Sequence, residues 1–513
     1  MFVTSRDKAA QQVAPKLERQ VQMPGAEDAA LAATRQRKRK VAVFVAHGMG
    51  QQVPFETMDA VATGLMRIAR KDGKPAAAIR AETCMVGEQK LQRLELDMQD
   101  PNGQPLEVHV YEGYWAPITE GQVKIVDVMS FLLRGGFNGM RNAWKDFHRW
   151  MFGGAVNFGR RPRTGIFLSL ASLTVLSLMV ANFLVTVMFA DRLAGRLKDA
   201  KSVGGALFND RTFTALTTIV AGWVIYSAAI GVLLLLAHRV RGRGWTLPLG
   251  VLLWGWVAYT IVGLGIVPPL ALAGWLDARS FGMHFFNTYS VPVWIGLLAL
   301  SAILRAVMIQ FPGDVAAYIS SHTLDRFQEI RTKIKEAVGK VAKAVYSDRS
   351  YEGVVWVGHS LGSVVVYDAL NALIMDDELT SKAPDAVGRT KLLVTFGSPL
   401  DKIAFIFAAQ WVSVTESREA LAASFQPLIL DYERFRSIPW VNIWSPADII
   451  SGDLDFYDDP SKSRGRAVKN LVDARATTPL LAHLEYWQNR LLYEQIYAGL
   501  ARQAGTAAVR PGS

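Results

Sequence analysis

The chain has 513 residues, is 50% hydrophobic and 20% charged, and carries a formal net charge of +11. At roughly 150 residues per domain this length allows two to four domains, while 10% aromatic residues exclude a disordered chain and the single cysteine, Cys84, excludes a disulfide scaffold. The mean hydropathy of +0.17 is high for a soluble enzyme, and this excess indicates membrane segments.

The first 40 residues are polar, rich in alanine and glutamine, and end in a basic run from Arg35 to Lys40. No apolar segment typical of a signal peptide precedes this run. We therefore predict that residues 1–39 form a basic, flexible arm. Attraction of its charges to anionic headgroups is the alternative interpretation.

Residues 40–140 are predicted to begin an α/β domain. The β-branched run 40–46 is typical of a buried strand, and it enters a glycine turn, His47-Gly48-Met49-Gly50. A helix is predicted at 51–70. Two strands are predicted at 91–98 and 106–115, on either side of a turn signal at 100–103.

Four blocks carry the excess of apolar residues, at about 166–190, 213–237, 247–276 and 291–310. Each is long enough to cross a hydrocarbon core of ~30 Å as a helix. The first two contain no charge, and Arg305 near the end of the fourth can extend to the headgroups. We predict a membrane insertion of about four transmembrane helices within 141–311; buried core helices are the alternative.

Basic residues flank these blocks unevenly, which predicts the orientation of the insertion. The link between the third and fourth blocks carries only Arg279, whereas the flank before the first block and the link after the second are basic. Those basic residues are Arg141, Lys145, Arg149, Arg160, Arg161, Arg163, Arg239, Arg241 and Arg243. We predict a multi-pass protein of the plasma or inner membrane with both termini and the catalytic domain in the cytosol.

After the insertion, residues 312–501 are predicted to complete the same domain, and residues 502–513 to form a flexible tail. Predicted helices at 314–346, 361–375 and 480–501 alternate with predicted strands at 353–357, 391–396 and 440–444. This alternation is typical of a mostly parallel sheet covered by helices. The predicted fold class is therefore α/β, interrupted by a four-helix transmembrane insertion.

The strongest chemical motif is a G-x-S-x-G sequence at a strand-to-helix junction, Gly358-His359-Ser360-Leu361-Gly362. Such a junction turns sharply, and small residues are needed beside the serine because its backbone is strained and crowded. The serine hydroxyl is then presented above the sheet, next to the start of the following helix. We predict Ser360 as a nucleophile; a glycine-rich turn without chemistry is the alternative.

A nucleophilic serine needs a base and an acid that orients the base. His483 is the only histidine after Ser360, which makes it the predicted base. Asp448 follows the strand 440–444 between apolar neighbours and is the preferred acid, with Asp401 as the alternative. A cluster at Asp453, Asp455, Asp458 and Asp459 lacks EF-hand spacing, so we predict a solvated loop there, with binding of a cation such as Ca²⁺ as the alternative. No metal and no cofactor are predicted for the protein.

An oxyanion hole requires two backbone N–H groups directed at one oxygen. One is predicted to be the Leu361 N–H, directly after the nucleophile. The other is predicted to be the Met49 N–H, since Gly48 lets this turn approach closely. His47 is expected to be a hydrogen-bonding residue of the turn rather than a base.

These motifs resemble the α/β-hydrolase lipases over about residues 40–115 and 312–500. The segment 394–399, together with Asn442, Asp448-Ile449-Ile450 and a His483…Tyr486-Trp487 ending, is similar to the class 3 lipases. The serine motif followed by Tyr367-Asp368 resembles the DDHD-type phospholipases, and the His-Gly turn resembles bacterial lipases that use it for the oxyanion hole. The resemblance implies a triad of Ser360, Asp448 and His483, although neither family has a membrane insertion.

The sequence thus predicts a membrane-embedded serine hydrolase that cleaves acyl esters of lipids through an acyl-enzyme. Its expected partners are the bilayer and a lipid ester, and its charge requires no nucleic acid. An acyltransferase or a deacylase of lipid-linked molecules is the alternative enzyme, and a membrane scaffold without catalysis is the alternative of another class. A transporter is less well supported, because the blocks contain no ionisable residue besides Arg305.

Overall fold

An eight-stranded mixed sheet combines the sequence before the apolar blocks with the sequence after them. Its strands are β1 (Arg39–Ala46), β2 (Ala78–Val86), β3 (Gln89–Gln99), β4 (Pro105–Glu112), β7 (Gly353–His359), β8 (Thr390–Phe396), β9 (Trp440–Trp444) and β10 (Val468–Val472). The strand order is β10-β9-β8-β7-β1-β4-β3-β2, and a separate hairpin pairs β5 (Asp146–Met151) with β6 (Gly154–Arg160).

The structure is a computed structural model in which one compact unit spans Lys40–Ser513. It describes residues 38–50, 52–74, 78–197, 210–240, 246–272, 299, 302, 315–318, 325–380, 384–409, 416–461, 466–479 and 481–503. The predicted arm, the fourth apolar block and the predicted tail lie almost entirely outside these ranges.

Five of the strands run parallel, in the order β1, β7, β8, β9 and β10. β1, β7 and β8 are rich in valine, leucine and other apolar residues because helices cover both of their faces. Val41 pairs with Gly353, so strands on either side of the apolar blocks are direct neighbours. The predicted α/β class with a mostly parallel sheet is confirmed.

The other three strands, β2, β3 and β4, are antiparallel to one another. The β3–β4 hairpin was predicted from its turn, with Gly103 at a positive φ of 83°. β2 was not predicted, because most of its residues are exposed and it lies at the edge of the sheet. An exposed edge strand has little of the apolar alternation by which strands are recognised.

Helices cover both faces of the sheet, and further helices contain the apolar blocks. Their bounds are α1 (Glu56–Lys71), α2 (Ala116–Thr119), α3 (Ile125–Asn142), α4 (Pro162–Leu197), α5 (Asp210–Val240), α6 (Thr246–Tyr259), a π-helix (Thr260–Ile266), α7 (Val267–Leu272), α8 (Asp325–Ser347), α9 (Leu361–Leu379), α10 (Ala386–Arg389), α11 (Leu400–Ala409), α12 (Glu416–Ser424), α13 (Pro427–Leu430), α14 (Tyr432–Ser437), α15 (Ala482–Glu485) and α16 (Arg490–Ala501), with short 3-10 helices at Asp455–Tyr457 and Tyr486–Gln488.

The alternation of side chains along β1 shows how these layers assemble. Val43 packs into a core formed with α1 and α16, whereas Phe44 packs into a second core formed with α8 and α9. Because helical layers cover both faces of the sheet, the ends of its strands remain open. The carboxyl ends of the parallel strands all lie on one side, which we call the sheet edge of the site, and the candidate residues are found there.

Three of the described helices contain a stretch long and apolar enough to cross a membrane, at Pro162–Leu184, Thr218–Ala237 and Pro248–Ile266. They correspond to the first three predicted blocks, and the fourth, 291–310, falls outside the described ranges. Within the predicted insertion, the β5–β6 hairpin packs on the α/β part: the Phe147 ring centroid is 4.4 Å from that of Phe456. We had expected a basic flank here and did not predict strands.

Candidate active site

Ser360 occupies the sharp turn between β7 and α9, with φ 53° and ψ −129°. This is a strained conformation for a residue with a side chain. The glycines beside it are sterically required: a Cβ at Gly358 would lie 2.6 Å from Ser363 Cα, and one at Gly362 would lie 2.2 Å from the His47 carbonyl oxygen. The sequence motif therefore corresponds to the crowded turn that it predicted.

The backbone of Ser360 is held from two sides while its hydroxyl is not. Its N–H donates to the Phe396 carbonyl (3.0 Å), and its carbonyl accepts from the Ser363 hydroxyl (2.5 Å). The side chain is buried, and its Oγ makes no hydrogen bond with any described residue. A buried hydroxyl in this state is available to a substrate and a base.

His483 and Asp448 form a hydrogen-bonded pair at the same edge of the sheet. The distance from His483 Nδ1 to Asp448 Oδ2 is 2.9 Å. Because the carboxylate accepts, Nδ1 carries the proton and Nε2 is left as the basic nitrogen. Burial raises the pKa of Asp448, but the hydrogen bond and charge of His483, with the Ile450 N–H, outweigh it and hold that pKa well below its usual range.

His483 does not hydrogen-bond Ser360 Oγ in this structure. It nevertheless lies close to the serine turn, since its backbone carbonyl accepts from His359 Nε2 (3.1 Å) and its ring is close to Gly397. A Cβ at Gly397, where φ is +58°, would lie 3.0 Å from His483 Cε1. Catalytic hydrogen bonds without substrate are often longer than in the reacting complex.

The alternative acid, Asp401, has a different role. Its two carboxylate oxygens accept from the Phe456 N–H, at 3.1 and 3.3 Å, and burial raises its pKa well above the usual range. The structure thus brings Asp448, and not Asp401, to His483.

The predicted solvated acidic loop is partly ordered by its own backbone. Asp458 accepts from the N–H groups of Ala467 and Val468, and Asp455 lies 3.6 Å from Arg466. Burial, together with the neighbouring charge of Asp455, raises the pKa of Asp453. Asp455 and Asp458 therefore have partners within the loop itself, which explains these carboxylates as part of the loop's structure.

One group among the described residues has the spacing of metal ligands: Glu95, Glu107 and His109, within 4.8 Å of one another. Arg93 lies 2.5 Å from Glu95, and Lys40 lies 3.2 Å from Glu107. Both carboxylates are therefore neutralised by side chains of the protein, and we assign the group to an ion-pair network on the sheet.

The two predicted oxyanion donors flank Ser360. Leu361 is the first residue of α9, so its N–H has no partner within the helix. The turn that contains Met49 lies against the serine, since a Cβ at Gly48 would be 2.9 Å from Ser360 Cβ. The turn that contains Met49 and the start of α9 therefore both lie beside Ser360.

His47 orders this turn through hydrogen bonds on both ring nitrogens. Its Nδ1 donates to the Gly48 carbonyl (2.8 Å), and its Nε2 accepts from the Trp115 N–H (3.0 Å). Burial lowers the pKa of His47 to about 4, so the ring is neutral near pH 7. His359 is likewise neutral, because burial and the neighbouring His483 lower its pKa to about 3.

Two residues of the site were not predicted from the sequence. Tyr486 donates its hydroxyl to Asp448 Oδ2 (3.0 Å). Lys402 Nζ donates to the Ile449 and Ser451 carbonyls (2.6 and 2.8 Å), which belong to the loop 445–451 that follows β9 and carries Asp448, here called the acid loop. Burial lowers the pKa of Lys402 to about 8. A lysine beside Asp401 in the mostly apolar helix α11, and a tyrosine three residues after His483, were the available signals.

A cavity of about 740 Å³ lies between two of the apolar helices and the acid loop. α4 and α6 form one side of it, and the loops that follow β9 and β10 form the other. Ala447 and Ile449, the neighbours of Asp448, belong to its wall. Other lining residues are Phe167, Leu170, Ala171, Val175, Leu253 and Trp256.

Comparison with known protein families, with curated proteins and with solved structures found no match to this chain. An account of its function therefore depends on the geometry described above.

Proposed function

We propose that this chain is a membrane-embedded serine hydrolase of the α/β-hydrolase type, which cleaves acyl esters of lipids. The observation that carries the proposal is a strained, buried serine at the same sheet edge as an Asp–His pair. Backbone strain of this kind costs roughly 1–3 kcal/mol and persists where a function requires it. The order Ser360, Asp448, His483 along the chain is also the order found in that class.

In the proposed mechanism His483 Nε2 takes the proton of Ser360 as Oγ attacks the acyl carbonyl. The N–H groups of Met49 and Leu361 stabilise the negative oxygen that forms. Asp448 holds the ring of His483 and stabilises its positive charge. The protonated His483 then donates to the leaving alcohol, and water activated by the same ring releases the acid from the acyl-enzyme.

A lipid substrate is supported by the apolar surroundings of the site. The cavity is lined mainly by carbon atoms of α4, α6 and the acid loop. Ile449 and Leu484, which neighbour the acid and the base in sequence, are both exposed apolar side chains. A cavity of this size and character suits a hydrocarbon chain, and its contact with two candidate membrane helices would let a lipid enter from the bilayer.

The proposed topology has four crossings and a cytosolic sheet. Because β1 pairs with β7, the chain must return to the side from which it left, which requires an even number of crossings. Three candidates are described, so we place the fourth crossing in the predicted block 291–310. Arg160, Arg161 and Arg163 at the start of α4 favour the cytosolic side for that end.

The experiment that tests the function is covalent labelling of the purified protein in micelles with a fluorophosphonate probe. We expect wild type to be labelled and Ser360→Ala not to be, while Ser350→Ala, an exposed serine, is labelled like wild type. A panel of lipid esters assayed with the same three proteins then identifies the acyl ester. Absence of labelling in wild type, or equal labelling of Ser360→Ala, would contradict the proposal and favour a scaffold.

A further inference from the structure

Helix α3 presents a continuous apolar stripe to its surroundings. The stripe consists of Val126, Leu133, Phe137 and Met140 on the helix and Trp144 in the turn just after its end, and these side chains are 45–70% exposed. At 100° per residue the four positions on the helix fall within an arc of about 60°, so they form one face. An exposed apolar face of this length marks a contact with a partner or a membrane.

A neighbouring face of α3 packs closely on the beginning of α4 through small residues. Ser169 Oγ donates to the Gly136 carbonyl (2.9 Å), and a Cβ at Gly165 would lie 2.6 Å from the Gly139 carbonyl oxygen. This contact fixes α3 beside residues 165–172, within the first candidate membrane stretch. The stripe therefore lies at the level where α4 enters its apolar sequence.

Positive charge follows one edge of the stripe. Arg134, Arg141 and Lys145 are exposed, and each directly follows a member of the stripe, which places all three on the same side of it. α3 does not belong to the described helices that are apolar enough to cross a membrane. An apolar face with a basic edge and modest overall hydropathy is typical of a helix that lies in the membrane interface.

We propose that α3 contacts the membrane while packed along the first turns of α4, with its stripe against the upper acyl chains and its basic edge at anionic headgroups. The tight contact with α4 then sets the depth of the sheet relative to the bilayer. Lipid is favoured as the occupant over the fourth apolar block or a partner protein because the stripe continues the apolar surface of α4 and its charge complements anionic lipid. This proposal does not depend on hydrolase activity.

The test uses the full chain in proteoliposomes and takes advantage of its single cysteine. In a Cys84→Ser background, Phe137→Cys carries an environment-sensitive fluorophore, and Met140→Cys provides a second reporter. The matched control is Glu88→Cys in the exposed β2–β3 turn. We expect lipids spin-labelled near the headgroup to quench the stripe labels more than aqueous iodide does, and the control label to show the reverse.

The charged edge is tested in vesicles of phosphatidylcholine with and without phosphatidylglycerol. We expect the anionic lipid to shift the emission of the stripe labels to shorter wavelength, and the triple variant Arg134→Gln, Arg141→Gln, Lys145→Gln to lose this shift. Quenching of the stripe labels by iodide would place α3 in water and overturn the proposal. Protection from both quenchers, with cross-linking to cysteines introduced in 291–310, would overturn it in favour of the fourth block.

Discussion

The sheet and the apolar helices differ in how much of each the protein itself buries. β7 and β8 are buried along their whole length by the helices on both faces, whereas only 33%, 28% and 22% of the three apolar stretches are buried inside the protein. A helix satisfies its own backbone hydrogen bonds and can leave its side chains to lipid, but a strand in an open sheet cannot. The sheet is covered by the protein itself, whereas the side chains of the apolar helices are left largely uncovered, which accords with the proposed membrane insertion.

The candidate site belongs to both regions. Its polar groups come from the sheet edge, and the cavity beside the acid loop is closed by α4 and α6. Variants of the sheet edge should therefore abolish chemistry, while variants of the helical wall should alter the choice of substrate. The predictions below test this division.

The largest effect is expected for Asp448→Asn. An asparagine cannot stabilise the charged ring of His483 or hold its Nδ1–H, and loss of this function costs about 10⁴-fold in kcat in a comparable triad. The measurement is ester hydrolysis in micelles. Asp401→Asn serves as the control and should retain activity, since Asp401 contacts the Phe456 N–H and not the base; a similar loss in both variants would contradict the assignment of the acid.

Gly48→Ala should reduce kcat by about 10²–10³-fold, the cost of losing one oxyanion donor. The new Cβ would lie 2.9 Å from Ser360 Cβ, so the turn that contains Met49 must move away from the serine. Gly339→Ala, on α8 with open space around the added carbon, is the matched control. Unchanged kcat in Gly48→Ala would remove this turn from the mechanism.

Ala171→Trp should fill the cavity from the helical side and lower the ratio of long-chain to short-chain ester hydrolysis by about 10-fold, because a few carbon atoms in an apolar pocket contribute about 1–3 kcal/mol. The control is Leu173→Trp, at an exposed position on the same helix. An equal loss on both esters would show that the helical wall supports the fold and does not select the substrate.

The smallest effect concerns the dependence of stability on pH. Lys402 has a pKa of about 8 in the folded protein, against about 10.4 in an unfolded chain. Between these values the unfolded state binds more protons, so stability should rise as pH increases from about 8 to about 10. Lys402→Met should flatten this rise in thermal unfolding, and Lys340→Met, an exposed lysine on α8, should not. If Lys402→Met showed the same rise in stability with pH, that rise would have to come from other titrating groups.

The strands that could be predicted from the sequence consist mainly of apolar residues, and the strands that were missed are only partly buried. β1, β7 and β8 are continuous apolar runs, whereas β2 is mostly exposed and β10 has only five residues. Ser360 could be recognised because its strained turn requires glycines nearby in the sequence. The choice between Asp448 and Asp401 needed coordinates, since both follow strand ends and only their distance to His483 separates them. Lys402 contacts backbone carbonyls, whose positions the sequence does not show, so its place in a mostly apolar helix was the signal that it left.

Lys402 has one further contact, with a mechanical consequence. Its Nζ lies 5.2 Å from the ring centroid of Phe167 on α4, while the same group holds the Ile449 and Ser451 carbonyls. One side chain thus links the first apolar helix to the loop of the catalytic acid. If α4 crosses a bilayer as proposed, a thicker or thinner bilayer would tilt it and strain that link, and we expect the turnover of the proposed hydrolase to depend on membrane thickness.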